Sequence, residues 1–345
     1  MKKLKIAIIG AGQIARTTHL PIFKDMDDVE VFGISDVNRD SASQLAEDFQ
    51  IPYSFGDHIE MIESIHPDAV IVCVPNRFHC RIVLDALKHG CHVLCEKPPA
   101  VNVSEAVIME QTAREQQRLL TYGFHFRHSI QTKILKQKID GGELGTIYHS
   151  CVQWKRKRGI PGWGNFTNKT MQGGGPLIDI GAHMLDTALY LIGYPEVDTV
   201  LATSSNRIGK RGGIGFMGAW EGKKFSVEDG LFGMIRFKNG TDMQIETTFA
   251  LNQKEENVRN VLLYGDLAGS SLYPLEVYKE VNGQIITEEY PSIKEHDWHV
   301  NSDTNFVEAC LGLEKLLVTA EQGTYIQRII EALYKSADEM TLVQM

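Results

Sequence analysis

At 345 residues, with 43% hydrophobic and 23% charged side chains, the chain is long enough for two ordinary domains, each with its own core. A net charge of −9 excludes the basic face that a nucleic-acid backbone requires, and no apolar run approaches the length of a membrane span. Lys2, Lys3 and Lys5 lead directly into a strand instead of an apolar signal segment, so the expected setting is the cytoplasm; the six cysteines, without a Cys-x-x-Cys pair, read as reduced side chains with neither disulfide nor zinc.

The chain opens on an apolar run, Leu4 to Ile9, followed by Gly10-Ala11-Gly12-Gln13-Ile14-Ala15. Between a strand and a helix, this Gly-x-Gly-x-x-Ala pattern is a dinucleotide turn. Gly10 supplies a positive φ, Gly12 has no Cβ to hold a pyrophosphate off the backbone, and Ala15 lets helix and strand pack closely. The phosphates then meet the helix N-terminus, beside Gln13 and Ile14. A second strand, Val29 to Ile34, runs into Asp36, placed to accept hydrogen bonds from the adenosine ribose. A carboxylate there repels a 2′-phosphate, so NAD is the expected cofactor. Arg39, close enough to stack on adenine or pair with a phosphate, keeps NADP open as the alternative.

Helix and strand go on alternating: helices over 41–49 and 59–65, then the wholly apolar strand Ala69 to Val74, of the kind buried on both faces of a parallel sheet. Ligands in such sheets sit beyond the carboxyl ends of the strands, which puts Pro75, Asn76 and His79 on the cofactor side, with capping or packing as the other reading of His79. A helix from Phe78 to Lys88 stops at Gly90, and the strand Cys91 to Cys95 ends in Glu96-Lys97-Pro98. A lysine at the carboxyl end of a parallel strand is directed towards a ligand; a Glu-Lys surface corner is the alternative. A helix over 104–116, a strand over 119–124 and a helix over 129–140 follow, punctuated by Gly141-Gly142.

From Thr146 long strands and turn signals replace the alternation. Strands over 197–205, 230–238, 241–251, 258–265 and 275–281, with hairpin turns at Asn239-Gly240 and Asn282-Gly283, predict a mostly antiparallel sheet. Lys155-Arg156-Lys157-Arg158 continues the first of these strands, so Arg156 and Arg158 share a face. Directed into a cleft they bind hydroxyls or carboxylates; a solvated strand edge is the other reading. Trp163 follows in a Gly/Pro-rich turn. Gly173, Gly174 and Gly175 deliver the chain into a helix running to Ile192, on which Asp179, His183 and Asp186 are spaced i, i+4, i+7 and fall on one face. That polar face is expected to line a cleft. A metal site of the three is one reading, and helix-dipole chemistry with a surface ion pair another. Two C-terminal helices span about 301–313 and 324–340.

Taken together, the glycine turn, Pro75-Asn76 with His79, Glu96-Lys97-Pro98, and Asp179 with His183 resemble the glucose-fructose oxidoreductase, inositol dehydrogenase and rhizopine catabolism (Gfo/Idh/MocA) family of NAD(P)-dependent oxidoreductases. The resemblance covers nearly the whole chain. It implies an α/β protein: a doubly wound parallel Rossmann sheet in residues 1–125, then an α/β domain in 126–345 with a large, mostly antiparallel open sheet. The second domain binds substrate and forms homodimers or homotetramers through that sheet, with the C-terminal helices packing back on the first domain. The implied reaction moves a hydride between nicotinamide and a secondary alcohol or ketone of a sugar, inositol or sugar derivative. The implied catalytic set is Lys97, Asp179 and His183, and no metal is required.

The residue types suit that chemistry. Imidazole accepts a hydroxyl proton near neutral pH, which assigns His183 as acceptor. Lys97 would hydrogen-bond the substrate oxygen and oppose charging of the imidazole, and Asp179 would position the hydroxyl or the lysine. Whether Lys97 or His183 is the formal base stays open. Arg156, Arg158 and Trp163 join these three as substrate-binding residues, with Trp154 shaping the pocket, because flat rings and forked donors suit a polyhydroxylated ring. A regulator that senses NAD(H) without turnover is a different class, but it has no need of Lys97, Asp179 and His183 together. A metal-assisted hydrolase using the acid-rich helix is a further alternative.

Overall fold

In a computed structural model that describes residues 3–293 and 298–345, the chain forms two units, Met1–His125 with Asp297–Gln327, and Phe126–His296 with Arg328–Met345. The first is built on β1 (Leu4–Ile9), β2 (Val29–Ser35), β3 (Tyr53–Phe55), β4 (Ala69–Val72), β5 (His92–Cys95) and β6 (Leu120–Tyr122). All pairings are parallel, in the order β3-β2-β1-β4-β5-β6. Chain direction across the sheet reverses between β1 and β4, and the crevice beyond their carboxyl ends is where such a sheet takes a ligand. Ile6, Ile8, Leu20, Phe23, Ile34 and Leu45 form a core with Phe306 from the helix Trp298–Cys310.

Local chemistry moves several boundaries. β3, at three residues, is too short to carry a periodicity and escapes a reading based on pattern. The helix after the glycine turn opens as a π turn, Ala15–His19, before continuing as Leu20–Lys24. The next helix spans Arg39–Asp48, starting earlier than expected because the Asn38 side chain accepts the Ser41 N–H at 3.3 Å and caps it.

In the second unit, β7 (Ile147–Arg156), β8 (Val197–Ser205), the short hairpin β9 (Gly213–Gly215) and β10 (Gly218–Trp220), β11 (Gly230–Phe237), β12 (Asp242–Thr248), β13 (Asn257–Gly265), β14 (Ala268–Ser271), β15 (Glu276–Val281), β16 (Gln284–Glu289) and β17 (Val343–Gln344) follow in order. Apart from the separate β9/β10 ribbon they make one nine-stranded sheet, β16-β15-β14-β13-β7-β12-β11-β8-β17. Only the β7/β12 pair in it is parallel. Both Asn-Gly turns form as hairpins, with Gly240, Asn282 and Gly283 at positive φ.

One face of this sheet is covered by a helix that begins as a π turn, Leu177–Gly181, and runs on as Ala182–Ile192 to Gly193. Residues 182–189 are all buried, so the helix is enclosed on every side. Asp186 on it is fully buried, whereas Asp179, ahead of this stretch, is half-buried. Among the described residues, no helix is long and apolar enough to cross a membrane.

Candidate active site

The nucleotide side is organised by the turn after β1. Gly10 adopts φ +103°, and a Cβ there would lie 2.4 Å from the Cys73 carbonyl oxygen, so both the conformation and the space demand glycine. Its N–H donates to the Ser35 carbonyl at 2.7 Å. Asp36 reaches back to the same turn: one carboxylate oxygen accepts the Ala11 N–H and the other the Asn38 N–H, both at 2.8 Å. Gly10, Gly12, Asp36, Pro75, Phe78 and Arg81 are among the residues lining a cavity of about 460 Å³. Its size, the bare backbone at Gly12 and the carboxylate at the end of β2 fit a dinucleotide.

Gln13 is exposed and Ile14 half-buried at the start of the helix; Arg39 is exposed, outside the cavity lining. Asn76 is buried in the short turn Asn76–Phe78. His79 and Glu96, expected on the cofactor side, direct their polar atoms to protein partners. His79 is fully buried, with its two ring nitrogens 2.8 and 2.9 Å from the Pro98 and Val74 carbonyl oxygens, so it ties the Pro75 turn to the Pro98 turn. Glu96 turns its carboxylate inward, to the His19 ring at 3.1 Å and to the Lys97 N–H at 3.2 Å. Lys97 follows it, half-buried, at the carboxyl end of β5.

In the second unit, Glu228 caps the helix that bears Asp179 and His183. Its carboxylate accepts the N–H groups of Gly175 (2.9 Å) and Leu177 (3.3 Å) and the Tyr334 hydroxyl (2.8 Å), satisfying donors that a helix N-terminus leaves open. His183, 4% exposed, packs against Phe126 edge-on (centroids 5.2 Å apart) and against Trp154 (6.0 Å). Trp154 donates to Asn257 at 3.0 Å, and Arg156 lies over the indole at 5.4 Å. Burial pulls the Arg156 pKa down, and the charge of Asp179 opposes that.

The three residues expected beside this helix separate. Arg156 belongs to the His183 surroundings through Trp154. Arg158 lies past the end of β7 and commits its guanidinium to the Leu251 carbonyl (3.2 Å) and the Asn252 side chain (2.6 Å). Trp163 is 52% exposed in its turn.

Asp186 makes neither a surface pair nor part of a metal triad. Its two oxygens take a forked, fully buried ion pair from Arg127, one arm being Nε at 2.7 Å. That pair, the Glu228 cap, Arg259 over the Phe126 and Tyr273 rings at 4.8 and 4.6 Å, and His19 with its partners had no signal in the sequence. Each is made by residues far apart in the chain.

A Rossmann sheet with a dinucleotide turn, and an open sheet whose covering helix carries an aspartate and a histidine, define a nicotinamide-dependent oxidoreductase. Residues 4–124 match the oxidoreductase family, NAD-binding Rossmann fold, and residues 132–268 match the GFO/IDH/MocA C-terminal domain. Over 342 residues, 99% of this chain and 97% of the relative, the sequence is 42% identical to D-glucoside 3-dehydrogenase of Escherichia coli (strain K12). It is 35% identical over 191 residues to glucose-6-phosphate 3-dehydrogenase of Bacillus subtilis (strain 168), spanning 54% of this chain and 53% of that one. Levoglucosan dehydrogenase in complex with NADH and levoglucosan shares the fold, at TM-score 0.85 and 20% identity over 99% of each chain.

The chain belongs to the Gfo/Idh/MocA family. It is an NAD-binding oxidoreductase of CH–OH groups, moving a hydride between nicotinamide and a secondary alcohol or ketone of a sugar, inositol or sugar derivative. That sets aside the regulatory and hydrolytic readings.

Proposed function

We propose that the chain oxidises the 3-hydroxyl of a D-glucoside with NAD, and that Lys97, Asp179 and His183 serve the reacting hydroxyl. The observation that carries this is the 42% identity to a D-glucoside 3-dehydrogenase, sustained over 99% of the chain. NAD, when bound, supplies the acceptor for the hydride leaving the alcohol carbon. His183 takes the hydroxyl proton, its ring largely buried and held by Phe126 and Trp154. Lys97 donates to the oxygen on which charge develops, and Asp179 accepts from the sugar and fixes its orientation. The Trp154 indole and the Arg156 fork suit the apolar face and the hydroxyls of a pyranose.

In this reading residues 1–125 serve the nucleotide and residues 126–345 the substrate, while the 297–327 segment braces the first unit. Exposed Leu201 and Met234, paired across β8 and β11, together with Leu342, support a homodimer or homotetramer through the open face of the sheet. Six free thiols support a cytoplasmic setting. The test is NADH formation at 340 nm with methyl D-glucopyranoside and with its 3-deoxy analogue. Turnover of the first alone is expected; turnover of both, or of inositols only, would overturn the assignment.

A further inference from the structure

His19 lies at the end of the π turn that follows the glycine loop, 2% exposed, and each of its ring nitrogens meets a carboxylate. Nδ1 is 2.9 Å from Asp303 Oδ2, on the helix Trp298–Cys310, and Nε2 is 3.1 Å from Glu96 Oε1. With Asp303 and Glu96 both ionised, as acceptors only, two such contacts require both nitrogens to donate, which makes the ring an imidazolium. Burial alone would lower its pKa; the charge and hydrogen bond of Asp303, with those of Glu96, raise it to about 10.

The consequence runs along the chain to the lysine. The second oxygen of Glu96 folds back to accept the Lys97 N–H at 3.2 Å. Behind the carboxylate stands Gly123, where a Cβ would come within 2.9 Å of Oε1, so only glycine there leaves Glu96 its place. On the other side of Lys97, Pro98 restricts the lysine backbone and has its own carbonyl 2.8 Å from His79. Residue 97 is thus fixed at both peptide bonds. A buried cluster of three charged groups adds little stability over apolar residues of the same shape, whereas it does fix geometry.

We propose that His19 is a positioning residue for hydride transfer: gripped by Asp303 and gripping Glu96, it fixes the carboxylate that holds the Lys97 backbone, tying the lysine to the helix behind the dinucleotide turn. This rests on the reading of Lys97 as a catalytic residue.

Two substitutions divide the ring between them. His19→Asn keeps an amide near the Nδ1 position and loses the Glu96 contact; His19→Gln reaches the Nε2 position and keeps it. The expected result is a fall in kcat of about tenfold or more in H19N, since misplacement by about 1 Å can cost ~10²-fold. In H19Q kcat should stay within about threefold of wild type, and fluorescence titration should give both variants the wild-type Kd for NADH. Equal kcat per folded molecule in the two variants, whatever their melting temperatures, would overturn the proposal. If H19N does not fold, Glu96→Asp replaces it, a shorter carboxylate that still faces His19 but cannot fold back on the Lys97 N–H; full kcat in E96D would overturn the proposal. Lys97→Met is measured alongside. An active K97M removes the lysine reading and this inference with it, whereas an inactive K97M with equal H19N and H19Q removes the inference alone.

Discussion

Asp36→Ala tests how the nucleotide side chooses its cofactor. The wild-type carboxylate is pinned to the glycine turn by the Ala11 and Asn38 N–H groups at 2.8 Å and faces the cavity beyond β1 and β4. A ribose hydroxyl donating to a charged acceptor contributes about 1.5–3 kcal/mol, so its loss alone separates NADH from NADPH by roughly 10- to 150-fold in Kd. Repulsion of a 2′-phosphate adds to this: two unit charges 4 Å apart near a protein surface oppose each other by about 4 kcal/mol before screening. In D36A both effects vanish and the NADPH/NADH ratio of Kd values falls towards about one, within the scatter of a single lost contact. NADH itself binds more weakly, because the ribose hydroxyl loses its acceptor. Titration of nicotinamide fluorescence gives all four constants. Wild-type protein that binds NADPH as tightly as NADH, or a D36A ratio equal to wild type, would refute the reasoning.

Lys97→Met keeps the stem and deletes the charge and donors, so kcat is expected to fall by roughly 10²–10⁴ while NADH affinity and melting temperature barely move; a destabilised but fully active variant contradicts the role. Arg127→Met leaves Asp186 buried without its partner, and urea unfolding should show a loss of about 3–5 kcal/mol; a loss below about 1 kcal/mol would mean that the forked pair does not hold the helix. Arg156→Ala should raise KM for the glucoside more than Arg158→Ala or Trp163→Ala, since Arg156 stacks on the indole beside His183; the reverse order in steady-state kinetics would contradict this placement. His19 titrates near 10 in the folded chain against an ordinary 6.5, so its stabilisation is complete below pH 6.5 and is lost as pH rises towards 10. The gap in melting temperature between wild type and His19→Gln should narrow over that range, and a constant gap would contradict an imidazolium.

What the sequence revealed was local. The turn at Gly10, the acidic end of β2 and the Asn-Gly hairpins each depend on a few consecutive residues whose backbone requirements are chemical, and all are found where the pattern puts them. The helix bearing His183 was legible as a helix but not as an enclosed one: its Asp186 reads as polar, and only Arg127, 59 residues away, makes it a core residue. Likewise His19 and Asp303, 284 residues apart, carry no joint signal in either neighbourhood. The partners of Glu96 and His79 were equally hidden: the fold turns both inward to brace the backbone beside Lys97 and Pro75.

The most direct test of the central claim follows the hydrogen itself. Methyl D-glucopyranoside carrying deuterium at C3 is incubated with NAD and the purified protein, and the reduced cofactor is weighed by mass spectrometry. The account predicts that the label moves to the nicotinamide ring and that a 3-ketoglucoside accumulates, with both lost in His183→Ala. Unlabelled NADH, with deuterium left on the sugar, would contradict it.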